Sequence, residues 1–413
     1  MGLYRFKPPM SGRMGTLWTL SSIRNAALIE YGCMGHMLYG RVFLNRSSVA
    51  SGCKLYSTHI DEADIAMGDT GRLARAITQI IEHDKPRIIF LTPSAVPTVI
   101  GTDMQAICRE LQTDYPDVRL LPFGNGGFDV YGYRGVQETL LLLAKALPLD
   151  TPKTAAPSFN IIGSCADLFR FQADAAEINR IMAGAFGIKP LCIMTSATSI
   201  EDIERMGGAH MNLVIRREGE PAAKHLQKRF GTPYLLGRPY GIHGTAQWLE
   251  KISAMSGLVL NMPFVHNETE NAKEQIFPAM PVFNHAIRSH PDEATLFVSA
   301  HADVIQGVID FGVNELSLNK GTCWCDCSEM ADKDIPYFTE EQWMQAIQSS
   351  KGGGIVMASG EALEWAQRNI ALQISNPDTK WRLNPYEPPF VGFRGAIHLA
   401  GLWLNALLDQ ENH

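Results

Sequence analysis

The stretches RIIFL at residues 87–91 and RLLPF at residues 119–123 enclose a helix-like pattern at residues 99–111. A short apolar run of this kind is typical of a strand that is buried on both faces, as strands of parallel sheets are. Two such strands joined by a helix form a β-α-β unit. This part of the sequence therefore predicts a parallel sheet that is covered by helices.

The same alternation recurs twice further along the chain. The second block has strands predicted at residues 159–163, 191–194 and 212–215, with helices at residues 173–186 and 222–230. The third block has strands predicted at residues 294–299 and 354–358, with a helix that runs through Gly312. Three such blocks predict an α/β fold of three Rossmann-like, doubly wound domains with parallel sheets.

A segment rich in Pro, Thr and Ala at residues 148–157 is typical of a linker. We therefore expect domains at residues 1–155, 156–280 and 281–413, the last ending in a C-terminal helix. In doubly wound folds, ligands bind at the carboxyl ends of strands and in clefts between domains.

The composition excludes several classes of protein. The 413 residues are 46% hydrophobic and 19% charged, with a net charge of −7, so the chain can bury a large core. We expect no nucleic-acid binding because no basic run or patch occurs. No apolar run reaches the length of a membrane span, and the start lacks a signal-peptide pattern. We therefore expect a cytoplasmic protein whose eight cysteines are reduced.

Common catalytic motifs are missing from the sequence. It contains no G-x-x-x-x-G-K-[ST] loop, so we do not expect the chain to hydrolyse ATP itself. It also has no G-x-G-x-x-G fingerprint after a strand, no G-x-S-x-G elbow and no H-E-x-x-H helix. Three Rossmann-like blocks without a nucleotide motif are an unusual combination.

The turn YGCMGH at residues 31–36 contains the main candidate ligand, Cys33. Flanking glycines allow close approach of a bulky ligand, and a helix start favours a thiolate. These features are typical of a soft-metal or iron–sulfur ligand. No other cysteine lies at a short ligand spacing, so another chain would supply most ligands; the alternative is a half-buried structural thiol. His36 is a possible neighbour of such a cluster, more readily a hydrogen-bonding one than a ligand.

Other candidates have a plainer alternative beside the functional one. Cys323, Cys325 and Cys327 form a dense group in a predicted loop, where a metal or redox role competes with a structural one. His301 follows a strand, at a pocket position or a helix start, and a ligand contact is possible for His243 in its turn. Acidic residues that could form a docking rim, or only a solvated loop, are Asp61, Glu62 and Asp64. The remaining cysteines are predicted to be core or isolated residues: Cys53, Cys108, Cys165 and Cys192.

Several segments together resemble the component 1 superfamily of nitrogenases and nitrogenase-like reductases. They are FGTPY at residues 230–234 with GIHGT at 241–245, PFVGFRGA at 389–396, GC at 32–33 with STHIDE at 57–62, and TVIGTD at 98–103. The resemblance extends from about Ser11 to the C-terminus. It implies three Rossmann-like domains, the first of them cluster-binding, and an oxidoreductase subunit.

Departures from the family pattern indicate which subunit the chain resembles. Cluster-binding subunits often carry three cysteines, whereas here only Cys33 matches; the other positions fall near Ser11 and near Ser94-Ala95. The resemblance, with the TLWT start at residues 16–19, implies a β-like subunit. Cys33 would then be a metal ligand of an iron–sulfur cluster, P-cluster-like or [4Fe–4S], that is shared with an α-like subunit. The implied partners are this subunit, in an α2β2 heterotetramer, and an ATP-binding iron-protein homodimer.

A second, substrate-reducing cofactor is not expected in this chain. Arg216 stands near the family's cofactor cysteine, and Trp381-Arg382-Leu383 occupies the region of its histidine. A nitrogenase-like reductase, such as a methylthio-alkane reductase, is therefore the better match. The alternative is a non-catalytic scaffold subunit for metallocofactor assembly. A solute-binding protein is the third hypothesis, and it predicts export and no iron.

Overall fold

The computed structural model describes residues 10–46, 52–61, 64, 70–124, 132–196, 198–349, 353–366, 370–376 and 387–411. These residues form three parallel sheets of four strands each, with helices packed around them. The predicted α/β fold class is therefore confirmed. No helix in the described ranges combines the length and the apolar character that crossing a membrane requires.

The first sheet has the strand order β2-β1-β3-β4. Its strands are β1 (Ala26–Tyr31), β2 (Lys54–Ser57), β3 (Ile88–Pro93) and β4 (Arg119–Pro122). Its helices are α1 (Gly12–Leu20), α2 (Met34–Arg46), α3 (Gly71–Asp84), α4 (Ala95–Val99), α5 (Met104–Gln112) and α6 (Gly132–Ala146). Every residue of β1 and β3 is buried, because helices cover both faces of the sheet.

The single helix predicted at residues 99–111 is wrong, since two helices, α4 and α5, occupy this region. Asp103 begins the second helix, because its carboxylate accepts hydrogen bonds from the backbone N–H groups of Gln105 and Ala106. The break leaves Val99 and Ile100 exposed at the end of α4.

The second sheet has the strand order β6-β5-β7-β8. Its strands are β5 (Ser158–Ser164), β6 (Lys189–Thr195), β7 (Met211–Val214) and β8 (Tyr234–Leu236). The helices of this region are α7 (Phe171–Phe186), α8 (Ile200–Arg205), α9 (Glu220–Phe230), α10 (Ile242–Ser256), α11 (Met262–Ile276) and α12 (Met280–Ser289). Short 3-10 turns lie at Met206–Gly208, Arg217–Gly219 and Phe277–Ala279.

The third sheet has the strand order β10-β9-β11-β12. Its strands are β9 (Thr295–Ala300), β10 (Asn319–Cys325), β11 (Ile355–Ser359) and β12 (Ile370–Ser375). Its helices are α13 (Ala302–Ile309), α14 (Glu340–Ser349), α15 (Gly360–Leu363) and α16 (Gly392–Glu411), with a π-helical turn at Asp310–Glu315 and a 3-10 turn at Ser328–Met330. The helix predicted to run through Gly312 therefore ends earlier, at Ile309.

The loop predicted for the three clustered cysteines is also wrong in part. Cys323 and Cys325 lie in β10, an edge strand that pairs with β9. Alternate residues of a strand face opposite sides of the sheet, so these two thiols enter the main apolar core while Trp324 packs in a separate cluster. Cys327 follows the strand and is buried in the same core.

One apolar core runs through residues of all three sheets. The C-terminal helix α16 packs against α7, α11 and α12, so it bridges regions that the sequence divides between the second and third domains. The domain boundaries stay a prediction. The carboxyl ends of β1 and β3 lead to Cys33 and Ser94, and those of β5, β7 and β9 lead to Asp167, Arg216 and His301.

Candidate functional site

The Cys33 turn, defined here as Gly32 and Cys33 between β1 and α2, is held by backbone hydrogen bonds. The Gly32 N–H donates to Thr58 Oγ1 at 3.0 Å, and the Gly32 carbonyl accepts from the Ile60 N–H at 3.1 Å. The Ser94 N–H donates to the Tyr31 carbonyl at 2.9 Å. Chain segments that follow β2 and β3 thus fix the turn, while the Cys33 thiol stays half-buried.

The side chain of Ser94 occupies the space beside Gly32. A Cβ atom at position 32 would lie only 2.0 Å from Ser94 Oγ, so glycine is required there. The Ser94 hydroxyl is fully buried and has no hydrogen-bond partner within the described part of the chain. A buried polar group without a partner is costly, which points to a partner outside the chain.

A buried ion pair lies near the same turn. Arg13 of α1 pairs with Glu30 of β1 at 2.7 Å, and both side chains are buried. Burial raises the pKa of Glu30 to about 7 against the opposing effect of Arg13. Burial lowers the pKa of Arg13, while the charges of Glu30 and the Cys33 thiolate oppose this change. Arg13 therefore brings positive charge within electrostatic reach of Cys33.

Four exposed apolar side chains flank the turn and form what we call the apolar rim. Met34 and Leu38 of α2 are 55% and 58% exposed, and Val99 and Ile100 at the end of α4 are 69% and 54% exposed. Contiguous exposed apolar groups mark surfaces that other molecules cover. The rim makes the Cys33 side of the first sheet a candidate subunit interface.

The other residues that sequence reasoning placed near Cys33 have local roles. Ser11 caps α1, because its Oγ accepts a hydrogen bond from the Met14 N–H at 3.3 Å. Asp61 and Asp64 both pair with Arg72, at 3.1 and 2.8 Å. Glu62 and the side chain of His36 lie outside the described residues.

The residues of the Cys33 turn fit one edge of an iron–sulfur cluster. They offer a half-buried thiol, a buried hydroxyl without a partner among the described residues, and a glycine that leaves room beside them. They cannot complete a cluster, because the only set of three or more possible metal-binding side chains in the described ranges lies elsewhere, at Glu218, His301 and Asp303. Further ligands would come from another chain.

The second candidate region, which we call the Arg216 junction, lies where the three sheets meet. Arg216 is fully buried and donates to both oxygens of Asp167 at 2.8 Å and to Glu218 at 3.0 Å. His301, at the start of α13, contacts Glu218 at 2.6 Å through Nε2. The ring of Tyr133, from α6, lies 5.2 Å from the Arg216 guanidinium. The junction thus joins residues from all three parts of the chain.

The backbone is adapted to Arg216. Gly163 has a φ of 101°, a conformation that other residues rarely adopt, and a Cβ there would lie 2.6 Å from Arg216 Cγ. Burial alone would raise the pKa of Glu218, but Arg216 and His301 hold it well below its usual range. Only a cavity of about 20 Å³, the size of a water molecule, remains between Tyr133, Asp167 and His301.

The set of Glu218, His301 and Asp303 is a poor metal site although its ligand atoms lie within 4.8 Å of one another. Arg216 already binds Glu218, and Arg217 binds Asp303 at 2.8 Å. His301 Nδ1 accepts a hydrogen bond from the Asp303 N–H, which is the geometry of a helix cap. A metal ion would have to displace two arginines, so these side chains do not fit one. The region 381–383 lies outside the described residues.

The remaining candidates are structural in the described chain. Burial raises the pKa of Cys325 to about 12, and it also raises the pKa values of Cys323 and Cys327. Such thiols are poor nucleophiles and poor metal ligands. His243 is exposed and pairs with Gln247 at 2.7 Å. The four cysteines predicted to be core or isolated residues are buried: Cys53, Cys108, Cys165 and Cys192.

Sequence reasoning did not select Arg13, Glu30, Asp167 or Glu218. The only signal for Glu30 is a carboxylate inside the apolar strand AALIEY at residues 26–31. A charged residue within a buried strand requires a partner, but its identity depends on the packing of α1 against the sheet.

The chain matches a known protein family over nearly its whole length. The family model described as nitrogenase component 1 type oxidoreductase matches residues 11–408. The chain belongs to this family. The solved structure of nitrogenase Cp1 at pH 6.5 has a TM-score of 0.78 and 16% identity, and the match covers 100% of this chain and 94% of that one. At this identity the similarity shows the fold alone, and it agrees with the three-sheet architecture.

Curated relatives match smaller regions. One component of the light-independent protochlorophyllide reductase of Prosthecochloris aestuarii, its B polypeptide, is 29% identical over 192 residues, covering 46% of this chain and 35% of the relative. The nitrogenase iron-molybdenum cofactor biosynthesis protein NifE of Clostridium pasteurianum is 26% identical over 249 residues, covering 59% of this chain and 53% of the relative. The chain thus spans about a third to a half of the length of these relatives.

Proposed function

We propose that this chain is the β-like subunit of a nitrogenase-like reductase and that Cys33 ligates an iron–sulfur cluster at the interface with an α-like subunit. The observation that carries this proposal is the Cys33 turn. It combines a half-buried thiol with a buried hydroxyl that has no partner in the described chain. The apolar rim beside it supports a partner chain that would cover the cluster and supply its other ligands.

The residues of the turn would hold one edge of the cluster. When bound, an iron–sulfur cluster transfers electrons one at a time. Cys33 would be the ligand, and the hydrogen bonds of Gly32 to Thr58 and Ile60 would fix the thiol in place. Arg13 would contribute positive charge near the thiolate. The apolar rim would exclude water once the partner is bound.

The substrate-reducing site would belong mainly to the α-like subunit. The Arg216 junction supports this part of the proposal, because paired charges fill the region near the family's cofactor cysteine. An ATP-binding iron-protein homodimer would deliver the electrons, and we expect an α2β2 heterotetramer in the cytoplasm. The proposed substrates are methylthio compounds, whose C–S bond would be reduced. Release of a thiol by the complex with reductant, ATP and iron protein would test this substrate class.

A scaffold subunit for metallocofactor assembly is the second candidate function. Similarity to the cofactor biosynthesis protein NifE favours it. A scaffold would bind iron without turning over a reducible substrate, and it would transfer its cofactor to an acceptor protein. Turnover by the purified complex therefore separates the two candidates, since only the reductase consumes substrate.

The Cys33→Ala variant tests the ligand assignment. We expect the complex that carries it to lose most of its cluster iron and its reduced-cluster resonance signal, while the chain stays folded because one half-buried thiol adds little to the core. Cys108→Ala is the matched control, since Cys108 lies in the core on α5. Full iron content in Cys33→Ala would show that Cys33 is a structural thiol.

Native mass measurement tests the assembly. We expect co-expression with the α-like subunit to give a mixed complex that contains iron. A stable, iron-containing assembly of this chain alone would contradict the proposed subunit role.

A further inference from the structure

The Ser94 hydroxyl lacks a partner at a place where its neighbours are fully bonded. Its own N–H donates to the Tyr31 carbonyl, and its carbonyl accepts from Thr98 Oγ1 at 2.9 Å. Only the hydroxyl oxygen, which is fully buried, has no hydrogen-bond partner among the residues that the structure describes. Its location against Gly32 places it one residue from the Cys33 ligand position.

Nearby hydroxyl groups are satisfied within the chain. Ser57 Oγ donates to the Gly32 carbonyl at 3.1 Å, and Thr58 Oγ1 accepts from the Gly32 N–H. Ser11 Oγ accepts from the Met14 N–H. The side chains of Ser57 and Thr58 therefore hold the turn, whereas that of Ser94 lies beside the turn without holding it.

We propose that Ser94 is a positioning residue whose hydroxyl donates a hydrogen bond to sulfur held at Cys33, either the thiolate itself or a sulfide of the cluster. This inference rests on the proposed function. Cluster sulfur atoms are negatively polarised acceptors, and a hydrogen bond to them stabilises the reduced cluster and raises its potential. Gly32 permits the contact, because any larger residue there would collide with the Ser94 side chain.

The experiment compares Ser94→Ala with Ser11→Ala in the purified complex. Both variants replace a serine near Cys33, but only Ser11 has a partner within the described chain. We expect Ser94→Ala to keep its iron and to show a more negative midpoint potential in a titration followed by the resonance signal. We expect Ser11→Ala to keep the potential of the unchanged complex.

A second measurement separates this role from a structural one. In the full chain after removal of iron with a chelator, Ser94→Ala should unfold at the same or a higher urea concentration, because the deleted hydroxyl had no protein partner. Ser11→Ala should unfold at a lower urea concentration, because a helix cap is lost.

Three results would overturn the inference. An unchanged potential in Ser94→Ala would show that the hydroxyl does not bond to the cluster. Loss of iron would show that Ser94 is a ligand and not a hydrogen-bond donor, and lower stability of the iron-free chain would show that it holds the fold. If Cys33→Ala loses iron while Ser94→Ala leaves the potential unchanged, only this inference fails; if Cys33→Ala keeps its iron, the proposed function fails as well.

Discussion

The Cys33 turn and the Arg216 junction both follow the carboxyl ends of parallel strands, but their polar groups differ in how completely they are bonded. At the junction, Arg216 binds two carboxylates, and His301 binds one of them. At the turn, the Ser94 hydroxyl has no partner in the described chain. Complete internal bonding is expected of a structural element, whereas incomplete bonding is expected where another molecule binds.

The surroundings of the two regions differ in the same way. The junction encloses only a water-sized cavity, and its arginine is fully buried. The turn opens toward the four exposed side chains of the apolar rim. If this comparison is right, substitutions at the junction should reduce stability, and substitutions at the turn should change iron binding.

The largest effect is expected from Arg216→Met, which leaves Asp167 and Glu218 as buried, uncompensated carboxylates. Breaking a buried ion pair in this way costs about 3–5 kcal/mol of unfolding free energy. Urea unfolding of the full chain measures the loss. Arg205→Met, in the exposed pair with Asp202, is the control and should stay within about 0.5 kcal/mol.

Neutralising the two carboxylates checks the cause of that loss. Adding Asp167→Asn and Glu218→Gln to Arg216→Met should restore part of the stability, because no buried charge then lacks a partner. A single Arg216→Met variant as stable as the unchanged chain would remove the distinction between the two regions.

The fold could be predicted well from the sequence, because apolar runs and helical patterns mark each β-α-β unit directly. The errors have local causes. Asp103 caps a helix inside a continuous helical pattern, and β10 has cysteines where a typical strand has branched apolar residues. Capping bonds and sheet pairing depend on neighbours that a single pattern does not reveal.

The site could be predicted only in part. Cys33 could be selected because glycines and a helix start lie beside it in sequence. Arg13 and Ser94 reach the same place from α1 and from the end of β3, far away in the chain. Their proximity follows from packing, so periodicity and spacing could not show it.

A smaller effect is expected from pH, through His398 near the junction. His398 Nε2 accepts a hydrogen bond from Arg170 at 2.7 Å, and burial, followed by the charge of Arg170, lowers its pKa to about 4. An unfolded histidine has a pKa of about 6.5, so the unfolded chain binds more protons between these values. This contribution is therefore complete above pH of about 6.5 and is lost as the pH falls toward 4.

Because His398 is partly exposed, we expect a loss of about 1–2 kcal/mol over this range after solvent screening. Urea unfolding at several pH values measures it. His398→Gln should flatten the profile, and His266→Gln, on the exposed side of α11, should not. An unchanged slope in His398→Gln would mean that the junction loses stability in acid through its carboxylates alone.

The smallest effect is expected from Ser11→Ala, which tests how far the open site at Cys33 extends. Ser11 lies near a position where the family often has a cluster cysteine, yet its hydroxyl caps α1 through the Met14 N–H. Loss of this cap should cost about 1 kcal/mol of unfolding free energy, measured with urea. Iron content of the complex should stay unchanged, because the cap already uses the Ser11 oxygen. A loss of iron comparable to that of Cys33→Ala would extend the cluster site to α1, and Ser11 would then resemble the turn more than the junction.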